Sequence, residues 1–265
     1  MYVLQSKIEI QGDKSWTVPF VTSVEITRDT EKLTDECKIT EDEMFQLKQK
    51  PCVKKAYKNV NLETLLKDQG LEDVKVFGEQ NLGQFRVTDD TVASLLGRLQ
   101  ESGIRSFYRY EDGKAVLYCG VIFERDGQPS QVFATGVNII SDSSLEQQQA
   151  ANIRLCIKAV SIMPNNKKIK VEVGDKDGEH RTLHTYNKTE SELKAWAEQE
   201  LKRLKVDGLT GSFTTFGYRL VDKLDAIGIK LDGNKMGVYQ VKKNVIKYGT
   251  GGYRQEITLG LRVAQ

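Results

Sequence analysis

Apolar and polar residues alternate along much of the chain. In "YVLQSKIEIQ", Val3, Gln5, Lys7 and Glu9 fall opposite Leu4, Ser6, Ile8 and Ile10, the period of a half-buried strand. "FVTSVEIT" is rich in β-branched residues, and a polar connection, "RDTEKLTDE", leads to a further strand, "CKIT". The period then changes. "VNLETLLKDQG" sets Leu62, Leu65 and Leu66 on one helical face, offers Asn61 as N-cap and ends at Gly70. "DDTVASLLGRLQESG" repeats the design with Val92, Leu95, Leu96 and Leu99 before Gly103. "IRSFYRYEDGKAVLYCGVIF" predicts a hairpin turning at "EDGK". These segments make a small α+β unit.

The last third returns to strands. "NIRLCIKAVSIM" puts Ile153, Leu155, Ile157 and Ala159 on one face, and "KKIKVEVGDKDGEHRTLHTYN" reads as two runs paired across "DKDG". "TESELKAWAEQELKRLK" opens with a capping box, Thr189 and Glu192, and carries a stripe of Leu193, Trp196, Ala197, Leu201 and Leu204. "MGVYQVKKNVIKYGTGGYRQEITLGLRV" predicts two long strands around "GTGG". Tyr253, Gln255, Ile257, Leu259, Leu261 and Val263 share one face; Arg254, Glu256, Thr258 and Arg262 share the other. Long strands with one helix between them suggest a closed or nearly closed barrel, which hides its edges.

Composition narrows the function. The chain has 265 residues, 39% apolar and 29% charged, as in an ordinary folded protein. A net charge of +2 gives no strong overall pull toward nucleic acid or acidic membranes. No apolar run reaches the roughly 20 residues of a membrane helix, so no membrane anchor is expected. "MYVLQSKIEIQG" lacks the pattern of a secretory leader. Cys37, Cys52, Cys119 and Cys156 are too widely spaced for a zinc or redox motif. Cys119 and Cys156 read as small buried hydrophobes, and reduced thiols are expected.

Candidate chemistry is sparse. His180 and His184 alternate on one strand face about 13 Å apart, too far to share a metal. "DKDGE", residues 175–179, resembles a calcium loop faintly but reads better as a turn. "EDE", residues 41–43, reads as a solvated charge cluster. No P-loop, G-x-S-x-G or H-E-x-x-H motif occurs. Catalytic, cofactor-binding and metal residues are therefore expected to be none, and the chain is not expected to be an enzyme. "SFYRYEDGK" and "IKYGTGGYR" interleave aromatic and basic residues, which keeps a β-barrel binding module for single-stranded nucleic acid as the alternative. "GLTGSFTTFGYRL", residues 208–220, is glycine-rich, but the predicted helix lies before the glycines and strand-like residues after them. That is the reverse of a phosphate loop. Gly208 and Gly211 are expected to end the helix. Phe213 and Phe216 then face opposite sides of a strand, one into the core and the other onto the helix or a neighbouring subunit.

"GLTGSFTTFG" after the "TESELKAWAEQELKRLK" helix, followed by "GVYQVKKNVIKYGTGGYRQEITLG", resembles the C-terminal half of phage tail baseplate hub proteins. "NLGQFRVTDDTVASLLGRLQESGIRSFYRYEDGKAVLYCGV" is similar to their middle domain, and "VTSVEITRDTEKLTDECKIT" to their first strands. The hub domain of type VI secretion spike proteins is related in architecture. The resemblance implies an α+β, mainly β fold, with two tube-type β-barrel domains flanking a small α+β domain. The corresponding ranges are 1–58, 59–150 and 151–265. It implies a homotrimeric ring that joins the tail tube to the spike, with DNA passing through the lumen without specific binding. It also implies a place in the virion tail after assembly in the bacterial cytoplasm. Tyr253, Arg254 and Gln255, in its recurring "GYRQE", are implied to serve strand pairing and barrel closure. The family continues through more strands after "CKIT", whereas here Thr40 meets Glu41 at once. The first barrel is thus either reduced or has residues omitted at this junction, and we take the second.

Overall fold

The computed structural model describes residues 8–10, 16–18, 21–27, 36–41, 45–111, 114–123, 128–231, 237–249 and 252–263. It is mainly β, with four α-helices among these residues. β1 (Ile8–Ile10) pairs antiparallel with β2 (Trp16–Val18), and β3 (Val21–Thr27) with β4 (Glu36–Glu41). These are the strands expected at "FVTSVEIT" and "CKIT", and β4 runs through the Thr40–Glu41 junction. The connection at 28–35 and the remainder of "YVLQSKIEIQ" lie outside the described residues.

The α+β unit follows: α1 (Phe45–Gln49), β5 (Ala56–Asn61), α2 (Leu62–Asp68), β6 (Val74–Phe77), β7 (Asn81–Arg86), α3 (Val92–Glu101), β8 (Arg105–Glu111) and β9 (Lys114–Gly120). β5 pairs with β7; β9 lies between β6 and β8, with the predicted β8–β9 hairpin in place. The predicted leucine faces form the core, where Leu62, Leu65, Leu66, Val92, Leu95, Leu96 and Leu99 are all buried. Asn61 caps α2, its Oδ1 accepting from the Thr64 N–H at 2.7 Å. Gly70 and Gly103 stop the two helices at φ +69° and +86°, a conformation that suits glycine.

Residues 155–204 form a separate layer. β12 (Leu155–Ile162) is the central strand, antiparallel to β13 (Lys168–Gly174) and parallel to β14 (Glu179–Tyr186). α4 (Glu190–Leu204) packs on β12 and β13 through Leu193, Ala197, Trp196, Leu201 and Leu204. The Thr189–Glu192 capping box forms as expected. The hairpin expected between β13 and β14 across "DKDG" is not formed, because β12 lies between them. The turn instead arches over the start of β12. The Asp175 N–H donates to the Leu155 carbonyl and the Glu179 N–H to the Arg154 carbonyl, each at 2.9 Å. Glycine permits the passage: a Cβ at Gly178 would lie 2.4 Å from the Arg154 carbonyl carbon, and one at Gly174 2.3 Å from the Leu155 oxygen. β12 is buried on both faces, not only on the Leu155–Ile157–Ala159 side. Such a strand must be covered twice, which explains why it leaves the barrel wall.

β10 (Gln131–Ala134), β11 (Ile139–Gln148), β15 (Gly208–Phe216), β16 (Ala226–Lys230), β17 (Gly237–Gly249) and β18 (Gly252–Arg262) form one six-stranded sheet in the order β10-β16-β17-β18-β15-β11. It curls as a half-barrel over Phe133, Phe213, Ile227, Ile229, Tyr239 and Ile257. The wall expected to be closed or nearly closed thus has, among the described residues, two edges, β10 and β11. They meet at one bridge, between Thr135 and Ile139. Asn138 builds that corner: its side chain accepts from the Ala134 N–H at 2.7 Å and donates to the Val132 carbonyl at 3.0 Å.

Candidate functional site

Two joints hold the α+β unit to its neighbours. The first faces the β12–β14 sheet and is made by close backbone approach. The Gln84 N–H donates to the Pro164 carbonyl at 2.9 Å, and a Cβ at Gly83 would lie 2.0 Å from that oxygen. Gly103 lies beneath His184 in the same way, with an added Cβ 2.4 Å from the His184 Cβ. The Tyr186 hydroxyl donates to the Ser102 carbonyl at 3.1 Å. Burial pushes the Tyr186 hydroxyl above its ordinary pKa. Burial, with Lys168 nearby, holds the His184 imidazole below its own.

The second joint faces the six-stranded sheet and is made by charge and rings. Arg109, buried on β8, places Nη2 2.5 Å from Asp225 Oδ1, while its Nη1 donates to the Lys223 carbonyl. Leu224, at φ +69°, inserts beside Tyr118 and Phe123, with Phe77 and Phe107 around them. Ring centroids are 5.1 Å apart for Phe77–Tyr118 and 4.9 Å for Phe107–Phe123. The segment that bears Asp225 is fixed to the sheet, for the Leu224 N–H donates to the Val241 carbonyl at 2.9 Å.

These joints absorb much of the chemistry noted in the sequence. Phe107 and Arg109 of "SFYRYEDGK" point into the second joint, not outward. Cys119 and Cys156 are buried as expected, and burial pushes the Cys119 thiol up to about 11. Cys52, also free, is half-buried. His180 and His184 stand opposite Cys156 and Val160 of β12, and only His184 enters a joint. Among the described residues no His, Cys, Asp and Glu come together in a group of three that could hold a metal. Asp175, in the predicted turn, takes Arg154 at 2.6 Å, and that bond holds its carboxyl below the usual range. Of residues 41–43, Glu41 ends β4, and Asp42 and Glu43 lie outside the described residues.

"GLTGSFTTF" is strand β15, as read from the sequence. Its glycines do not end the helix, which stops at Leu204 with Lys205 as cap. Gly211 instead lies inside the strand at φ +99°, where a Cβ would come 1.9 Å from the Ser144 oxygen of β11. Phe213 points into the core. Phe216 takes the other face and packs on Arg254 at 5.0 Å and Tyr218 at 5.9 Å, not on the helix. Gln255 was visible as part of "GYRQE", but its contact was not: its Nε2 donates to the Phe216 and Arg219 carbonyls at 3.2 and 2.5 Å, tying down the loop after β15. A buried Glu200 paired with Arg203 on α4 at 2.6 Å was missed, although the three-residue spacing of opposite charges was there to read. Two clefts occur. One, of about 560 Å³, lies between the start of α2 and the β6–β7 turn, lined by Asn59, Glu63, Thr64, Glu79 and Gln80. The other, of about 200 Å³, is lined by Asp207, Leu209, Tyr239 and Arg262.

No family model matches the sequence, and no curated protein matches it. Solved structures do. The tail protein from Neisseria meningitidis MC58 aligns with 97% of this chain and 83% of its own, at a TM-score of 0.59 and 15% identity. The 43 kDa tail protein of prophage MuSo2 from Shewanella oneidensis aligns with 92% of this chain and 76% of its own, at 0.53 and 16%. The chain has the fold of phage tail proteins. This tail-protein fold spans the α+β unit and the layers on either side, since almost the whole chain is covered. No helix among the described residues is long and apolar enough to cross a membrane.

Proposed function

We propose that this chain is a structural, non-enzymatic hub component of a bacteriophage or prophage tail. Three copies form a ring that joins the tail tube to the spike, and DNA passes through the ring. In this reading the strands before α1 contribute to a first barrel, and the α+β unit, which already includes α1 and β5, spaces it from a second barrel built on the half-barrel sheet. Its partners are further copies of itself and the tube and spike proteins of the same machine, within the virion tail. The observation that carries the reading is the tail-protein fold over 97% of the chain. The two joints agree with it, because a ring element must hold its parts at fixed angles. Light scattering on the purified chain tests it: the expected mass is three times 29.9 kDa. A single-chain mass at every concentration sinks the trimer.

A further inference from the structure

The outer face of the half-barrel sheet is a feature that the joints leave unused. Register places three rows across β15, β18 and β17 on this face. They are Phe216–Arg254–Lys247, Thr214–Glu256–Val245 and Ser212–Thr258–Lys243. The opposite face carries Phe213, Ile257 and Gln255, which are buried. α4 packs on β12 and β13; in the outer rows Lys243 and Lys247 are exposed and Arg254 is half-buried. Three cations, Lys243, Lys247 and Arg254, thus stand among hydroxyls on a surface about 10 Å wide and 13 Å long. Glu256 is the carboxylate in these rows. Lys247 holds it at 3.0 Å and, with Lys243 behind, keeps its carboxyl below the usual range.

At one end of the face two guanidinium groups lie over rings, Arg254 over Phe216 at 5.0 Å and Arg219 over Tyr218 at 5.7 Å. Tyr218 is exposed. The Gln255 side chain, bonded to the Phe216 and Arg219 carbonyls, fixes this loop before any ligand arrives. A guanidinium stacked on a ring keeps its N–H edge available for phosphate oxygens, and an exposed ring can stack on a base. We propose that this face is a contact surface for the sugar–phosphate backbone of a nucleic acid, with Lys243, Lys247 and Arg254 on phosphates and Tyr218 on a base. The near-neutral balance of the whole chain does not argue against it, because three cations stand together on this face against one carboxylate. Exposed Val137, Ile140 and Leu220 near the same end are what a protein contact would use, and the test separates the two. The proposal is independent of the trimeric ring, and failure of either leaves the other standing.

The experiment is fluorescence anisotropy of a labelled oligothymidylate, and of a duplex of the same length, titrated with the full chain across a salt series. Binding is expected in the range of about 1–100 µM and should weaken steeply with salt. The K243Q/K247Q/R254Q variant should bind at least about tenfold more weakly at low salt. Its log–log salt slope should be shallower by about 2 on the single strand and nearly 3 on the duplex, since each of three phosphate contacts contributes roughly 0.7 to 0.9. Glu256→Gln removes the opposing carboxylate and should bind more tightly than the parent, a gain that misfolding cannot mimic. No anisotropy change up to about 100 µM overturns the proposal. So does binding that ignores salt and all four substitutions, which would assign the face to a protein contact.

Discussion

The α+β unit is fastened to its two neighbours in different ways. Against the β12–β14 sheet the contact is made by bare glycine backbone, with Gly83 under the Pro164 backbone and Gly103 under the His184 side chain. Against the half-barrel the contact is side chain on side chain, with Arg109 on Asp225 and Leu224 among rings. The first joint depends on what is missing, a Cβ. The second depends on a group that is present, a guanidinium with two acceptors. Rigidity can therefore come from close approach or from a paired buried charge, and the two fail under different changes.

The largest break should come from Gly83→Ala. The residue sits at φ +64°, and the new methyl would meet the Pro164 carbonyl. Left-handed strain and overpacking together should cost about 4 kcal/mol, read as a lower midpoint in urea unfolding. An unchanged midpoint would show that the first joint yields easily. Arg109→Ala comes next. Its side chain is 9% exposed and that of Asp225 21%, so the loss takes the guanidinium from a shielded carboxylate and should cost about 3 kcal/mol. Arg109→Lys should recover only part of this, because one ammonium cannot reproduce the planar fork that reaches both Asp225 and the Lys223 carbonyl. Full recovery by lysine would reduce the second joint to a point charge.

The smallest effect sharpens the contrast through pH. His184 belongs to the backbone joint, and burial depresses its folded pKa. The unfolded chain takes the proton near pH 6.5, the folded one only at lower pH. Its contribution to stability is thus complete above about pH 6.5 and is lost as pH falls through the folded value. Unfolding midpoints measured from about pH 7 to pH 5 should fall, and His184→Gln should flatten that slope. An equal slope in the variant would move the titration elsewhere.

What could be read in the sequence was local. Asn61, the Thr189–Glu192 pair and the leucine spacings act within one or two turns, so α2, α3 and α4 were all legible. The same holds for hairpins whose strands are neighbours in the chain. The β12–β14 sheet was misread because its order depends on a strand entering from outside the "DKDG" segment. The role of Gly211 was misread because the Ser144 oxygen it admits is 67 positions away. The outer sheet face was half legible: Lys243 and Lys247 alternate correctly along one strand. Only the register with β15 sets Phe216 beside Arg254.

The arch over β12 has a mechanical side. The chain enters β12 beneath the 175–178 turn, with β13 bonded along one side from Cys156 to Ile162 and β14 along the other from Leu155. A pull on residue 153 along the strand axis cannot unzip these ladders one bond at a time. It loads both in shear, and the turn across the entrance resists lifting the strand's end. Such a strand, clasped on two sides and latched at its mouth, keeps its place under a load along its axis.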